Sequence, residues 1–349
     1  MSKAAQLAAL IGSQTALSNR NLIINGAMQV AQRGTSETGV GGSSGYFTCD
    51  RWRVDTGNTA GRVTMSQASI TDLAGFANAL KLDVTTADTS IASGEVFRVG
   101  QRIEGQNLHQ LAKGTASAKS LTLSFYVKGN AAATYVAQIK DVDNTRVNTQ
   151  NFSVTTSWTR VELTYAADTT GILDNNNANS LEVMFWLHAG SDFTSGTFAS
   201  NTWATETNAN NYAGSNTSIF DSTNRELFIT GIQLEVGEQA TPFEHRSYGD
   251  ELARCQRYYE VVTTTDAAYT LHMYYASSGD HRGHWDMQVT KRTKPTVARI
   301  SGTGSFQHNS GDASYFESPD RIEFGTNAYS YLNNSGNADS KVFYADAEL

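Results

Sequence analysis

The run Leu121 to Lys128 alternates without a break. Leu121, Leu123, Phe125 and Val127 share one face; Thr122, Ser124, Tyr126 and Lys128 share the other. A sustained period of two predicts a strand with one buried face, and it excludes an amphipathic helix, whose apolar residues recur every three or four positions. Arg160 to Tyr165 repeats the pattern, with Val161, Leu163 and Tyr165 inward. Asp50 to Asp55 does so too, with Trp52 and Val54 on one face and Arg51 and Arg53 on the other, as do Leu80, Leu82 and Val84. Leu181 to Leu187 is apolar on both faces apart from Glu182, which predicts a central strand. Leu227 to Val236 follows, with Phe228, Ile232, Leu234 and Val236 expected on one face. The connections at 37–44, 174–179, 191–200 and 206–217 are rich in Asn, Thr, Ser and Gly and read as loops. Short strands without intervening helices predict an all-β chain folded as an antiparallel sandwich or jelly roll.

Composition agrees. Of 349 residues only 17% are charged and 3 are Pro. Average domains carry about 25% charged residues and about 5% Pro. The surface is therefore polar but largely uncharged, which argues against a Lys/Glu-rich helical protein and a charged disordered chain. The formal net charge is -8, with no polybasic run. Neither nucleic-acid binding nor adsorption on an anionic bilayer is supported. No stretch approaches the roughly 20 apolar residues of a membrane span. Cys49 and Cys255 are no disulfide framework and read as buried free thiols.

At 349 residues the chain is long for one core. Residues 1–20 read as a short Ala/Leu helical arm rather than a signal peptide. The body spans 21–246. A linking helix covers 247–260, announced by the capping-box spacing of Ser247 and Asp250 and by Leu252, Cys255 and Tyr259 on one helical face. Beyond it, 269–275, 285–290, 296–300, 321–324 and 342–347 read as short strands of a smaller β domain, 261–349.

The Walker A, His-Glu-x-x-His and dinucleotide-binding spacings do not occur. The densest titratable segment runs from Asp280 to Asp286. Its His281 and His284 would face opposite sides of a strand, and a solvated loop is the preferred reading over a metal site. Glu95, Glu104, Asp168 and Glu182 are available carboxylates, but sequence does not give the separation that glycoside hydrolysis needs. No catalytic residue, metal or cofactor is assigned, and the chain reads as a non-enzyme.

Sugar binding asks for an aromatic face flanked by groups that both donate and accept hydrogen bonds. Two segments offer this. One holds Trp203, Asn211 and Tyr212; the other holds Tyr329 and Tyr331. With Trp285 they are the candidate carbohydrate-binding residues. The competing reading is that these aromatics pin down loops or pack between subunits.

Several segments resemble a known family when taken together: Asn21 to Gly26 (NLIING), Gln29 to Gly34 (QVAQRG), Asp50 to Trp52, Ser157 to Arg160, Ile229 to Gly237, Thr241 to Arg246 and Arg254 to Glu260. The order is similar to that of bacteriophage tail-fibre and minor virion structural proteins, over roughly Asn21 to Glu260. Lys294 to Val297 and Tyr344 to Leu349 resemble the ending of such proteins. The resemblance implies a jelly roll like those of carbohydrate-binding modules, followed by the smaller C-terminal β domain. It implies a homotrimer located in the virion tail and assembled in the host cytoplasm. Its partners would be other tail proteins (an adaptor or nozzle), reached through the N-terminal arm, and host surface polysaccharide. Leu181 to Leu187, Leu252 and Tyr259 would lie near the three-fold axis. The matched segments look like fold determinants, so no binding residue or calcium ligand is carried over. A fibre without receptor binding and a polysaccharide depolymerase are the alternatives.

Overall fold

The computed structural model describes residues 19–215, 217–264, 272–277, 280–301, 319, 321–326 and 341–349. The expected N-terminal helix lies outside them. The chain divides into two compact units between Glu251 and Leu252, with Leu349 belonging to the first.

The first unit is an antiparallel sandwich. One sheet has six strands in the order β1 (Ser36–Val40), β4 (Arg62–Ser69), β5 (Asn78–Thr86), β13 (Glu226–Val236), β7 (Leu121–Gly129) and β10 (Thr159–Tyr165). The other has seven: β12 (Ala204–Thr205), β9 (Arg146–Val154), β8 (Ala133–Asp141), β11 (Asn179–Ala189), β6 (Val96–Glu104), β3 (Arg53–Gly57) and β2 (Gly45–Tyr46). The chain crosses between the sheets after β1, β3, β5, β6, β7, β9, β10 and β12, which is the winding of a jelly roll. Leu121, Leu123, Phe125 and Val127 are buried, as the alternation requires. Phe125 meets Phe185 and Phe152 of the facing sheet edge to face, at centroid distances of 4.9 and 5.1 Å.

Four expectations about the sandwich strands need correction. Residues 37–44 are not all loop, because β1 pairs with β4 at Ser36↔Ser66 and Val40↔Val63. Arg51 does not face solvent. It is fully buried at φ 71°, with its guanidinium donating to Arg102 O at 2.6 Å. Leu181 to Leu187 lies inside β11, between β8 and β6, and is buried within this one chain, so it is not available to a three-fold axis. Phe228 does not share a face with Ile232 and Leu234. The β13–β7 register breaks between Thr230 and Gln233, at Gly231 with φ 61°. This β-bulge adds a residue and resets the alternation, so Leu227 and Ile229 point inward before it and Ile232 and Leu234 after it.

Five of the segments behind the family resemblance converge in space within the sandwich. Leu22 N donates to Leu234 O, and Ile232 N to Gly26 O, beside the bulge. Asn25 Nδ2 donates to Val30 O and Asp50 O, while Trp52 Nε1 donates to Asn25 O. Arg246 donates to Ile23 O. These hydrogen bonds tie residues 21–30, the turn at 49–52 and the second half of β13 together.

The helix spans Tyr248–Gln256, and Ser247 caps it: Asp250 N donates to Ser247 Oγ, and Ser247 Oγ donates to the Asp250 carboxylate. It ends before the expected 260, because Tyr259 already starts a strand. The second unit has two three-stranded sheets, β14 (Tyr259–Thr264), β19 (Lys341–Asp346), β17 (Thr296–Ser301), and β15 (His272–Ser277), β16 (Asp280–Asp286), β18 (Arg321–Thr326). Residues 280–286 are therefore a strand and not a loop. Cys49 and Cys255 are both buried, and neither forms a disulfide. Burial, with the Asp50 charge beside it, pushes the Cys49 thiol up to about 12. Among the described residues no helix is long and apolar enough to cross a membrane.

Candidate functional site

The bulge in β13 turns Phe228 onto the outer face of the six-stranded sheet. The register sets Phe228 directly opposite Lys81 of β5 on one side and Lys128 of β7 on the other. Opposed residues in an antiparallel sheet share a face, so these side chains form a row. Trp158 extends it, since Thr159 already pairs with Val127 at the start of β10. Cations and rings alternate along the row. Lys81 Nζ lies 5.4 Å and Lys128 Nζ 5.1 Å from the Phe228 ring centroid, and Lys128 Nζ lies 5.0 Å from the Trp158 ring. Trp158 and Phe228 meet edge to face at 6.4 Å. All four side chains are half-buried.

Carboxylates anchor the row. Asp72 accepts from Trp158 Nε1 at 2.9 Å and from Lys128 Nζ. Those hydrogen bonds hold the exposed Asp72 carboxyl below its ordinary pKa. At the other end Lys81 Nζ donates to Glu226 at 2.7 Å and to Asp83 at 3.1 Å. Burial works against the Lys81 ammonium, but those hydrogen bonds outweigh it and raise its pKa. One step along β7, Tyr126 packs on Phe76 at 5.3 Å, and Phe76 meets Phe243 at 5.1 Å. The face thus presents pinned rings beside groups that donate and accept hydrogen bonds, which suits a flat polyhydroxylated ligand.

The residues singled out from sequence fall elsewhere. Trp203 is half-buried at the edge of the other sheet, just before β12. Its Nε1 donates to Ala166 O at 2.7 Å, and Lys113 Nζ lies 5.2 Å from its ring. Asn211 is 1% exposed, accepting from Gln138 and donating to Glu206. Tyr212 is 1% exposed, stacked 6.4 Å from Trp186, with its hydroxyl donating to Thr217 O. Neither Asn211 nor Tyr212 offers a face to a ligand; they hold the connection 190–218 down over the outer face of β11. Trp285 lies in β16 opposite Ile322 of β18, and only its strand position is described. Tyr329 and Tyr331 lie outside the described residues. Sequence reasoning misses the row itself. Trp158 sits in a matched segment that reads as architecture, and alternation counted straight through Gly231 places Phe228 inward.

No protein family matches the chain, and neither does any curated protein. Solved structures do. They include a CBM4 structure, 12% identical over 61% of this chain and 97% of that one, with a TM-score of 0.33. A family 11 carbohydrate-binding module from Clostridium thermocellum in complex with a β-1,3-1,4-mixed-linked tetrasaccharide is 13% identical over 60% and 98%, with a TM-score of 0.28. TmCBM61 in complex with β-1,4-galactotriose is 10% identical over 62% and 99%, with a TM-score of 0.31. At these scores the likeness carries no inference about what this chain binds. The jelly roll is read from its own strand pairing.

Proposed function

We propose that this chain is a glycan-recognising appendage of a phage virion, a tail fibre attached through its N-terminal arm. The observation that carries glycan recognition is the row Lys81–Phe228–Lys128–Trp158 on the outer face of the six-stranded sheet. Aromatic planes beside fixed ammonium and carboxylate groups suit the alternating C–H and hydroxyl faces of a sugar ring. The virion context is supported by the resemblance of the segments from Asn21 to Glu260. Trp203, Trp285, Tyr329 and Tyr331 remain candidates for secondary contacts. Binding is weak at each site and gains strength from three copies in a homotrimer through effective concentration. The chain binds polysaccharide and does not cleave it.

A glycan array and a host-cell adsorption assay with the full chain test this reading. Removing a half-buried aromatic contact costs about 1.5–3 kcal/mol, so Trp158→Ala and Phe228→Ala should each weaken binding roughly tenfold to a hundredfold. Binding that survives both substitutions unchanged would move the site off this face. A complete lack of binding to glycans and cells would remove the receptor role.

A further inference from the structure

Six buried carboxylates of the sandwich have a cationic side chain beside them. Asp55, Asp141, Asp168, Glu182, Glu235 and Glu251 each lie within ion-pair distance of an Arg or Lys. Asp88 and Glu95 do not. Both are 5% exposed, and among the described residues neither has a Lys or Arg within ion-pair distance. They face each other and His188, which is fully buried, with one ligand atom from each of the three inside 4.8 Å. Two carboxylates removed from water need a compensating positive charge.

The cluster is oriented from outside, as metal sites are. His188 Nδ1 lies 2.8 Å from Ser218 Oγ, which fixes the ring and leaves Nε2 facing Glu95 Oε2 at 3.1 Å. Asp88 Oδ2 accepts from Thr59 Oγ1 and Ala60 N, each at 2.8 Å. Phe220 closes the site with its ring edge-on to His188 at 5.2 Å. That ring has room only because residue 61 is Gly, where a Cβ would lie 2.3 Å from Phe220 Cγ.

We propose that Asp88, Glu95 and His188 bind a divalent cation of the zinc class. Two carboxylate oxygens and one imidazole nitrogen suit Zn²⁺ or Mn²⁺ better than Ca²⁺, which prefers six to eight oxygens. The site lies where the turn between β3 and β4 (Thr59), the segment between β5 and β6 (Asp88, Glu95), the end of β11 (His188) and the connection that follows it (Ser218) meet. A bound ion ties the start of the 190–218 connection to the end of the sandwich.

The test uses the full chain, stripped with chelator and dialysed, then titrated with Zn²⁺, Mn²⁺, Ca²⁺ or Mg²⁺. The expected result is about one equivalent of Zn²⁺ or Mn²⁺ per chain, with a higher thermal midpoint. Glu95→Gln and His188→Gln should each weaken that affinity by more than the 10–100-fold typical of losing an outer-shell partner. Circular dichroism reports whether each variant is folded, and Asp88→Asn replaces either one that is not. No uptake and no shift with any cation would overturn the proposal, and would leave a shared proton as the compensating charge. A shift with Ca²⁺ alone, or Zn²⁺ uptake unchanged in folded variants, would overturn it as well.

Discussion

At Gly231 a Cβ would lie 2.7 Å from Phe76 Cζ and 2.9 Å from Tyr126 Cδ2, on a backbone at φ +61°. The residue therefore serves two ends. It permits the bulge that turns Phe228 outward, and its bare Cα lets Phe76 and Tyr126 close in beside the row. Gly231→Ala combines left-handed strain with overpacking, and should destabilise the chain by about 2–4 kcal/mol. Urea unfolding measures this, and an unchanged midpoint would show that the bulge relaxes freely. The substitution should also disturb the Phe228 row, so any loss of glycan binding must be compared with that of Phe228→Ala. Alternation alone could not reveal this residue. Gly231 sits in an apolar strand pattern that reads smoothly if the extra residue is not counted.

Among the elements, connections and strand ends together build one buried charge cluster. Lys113, between β6 and β7, meets Asp141 at the end of β8 and Asp168 after β10. Arg146 at the start of β9 donates twice to Asp168, at 2.8 and 3.0 Å. Burial by itself would raise the Asp168 pKa. Hydrogen bonds from Arg146, Lys113 and Thr170 N outweigh it and hold the carboxyl below its ordinary value. A folded value below the unfolded one, about 3.9, means that this stabilisation is complete above about pH 5 and lost as pH falls through the folded value. Asp168→Asn should therefore flatten the fall of the urea midpoint below about pH 5. Equal slopes for the two proteins would show that the cluster does not couple to folding. Sequence marks Asp168 only as an available carboxylate. Lys113, Asp141, Arg146 and Asp168 come from four different connections or strand ends, and no local pattern joins them.

At the scale of the whole molecule the chain is two compact units, each with its own sheets and its own buried anchor. In the sandwich that anchor is the Phe125–Phe152–Phe185 cluster. In the second unit it is Lys291, fully buried and hydrogen-bonded to Glu260, Gln256 O and Val289 O. Calorimetry should resolve two transitions. Phe185→Ala, at about 3–5 kcal/mol, should lower one, and Lys291→Met should shift the other. A single transition moved by both would show one cooperative unit. Much of this is legible in the residues themselves: the alternating strands β7 and β10, the capped helix after Ser247, the buried thiols and the polar, uncharged connections. Each of these depends on neighbours a few positions away, and one-dimensional order records such neighbours faithfully. The tertiary structure alone decided that Phe228 faces out, that Asn211 and Tyr212 are covered, and that Asp88, Glu95 and His188 meet. A bulge shifts register only against a partner strand, and a loop buries a side chain only when it lies across another sheet. Buried groups find their counter-charges across many residues of chain, so their meeting is a property of the folded packing.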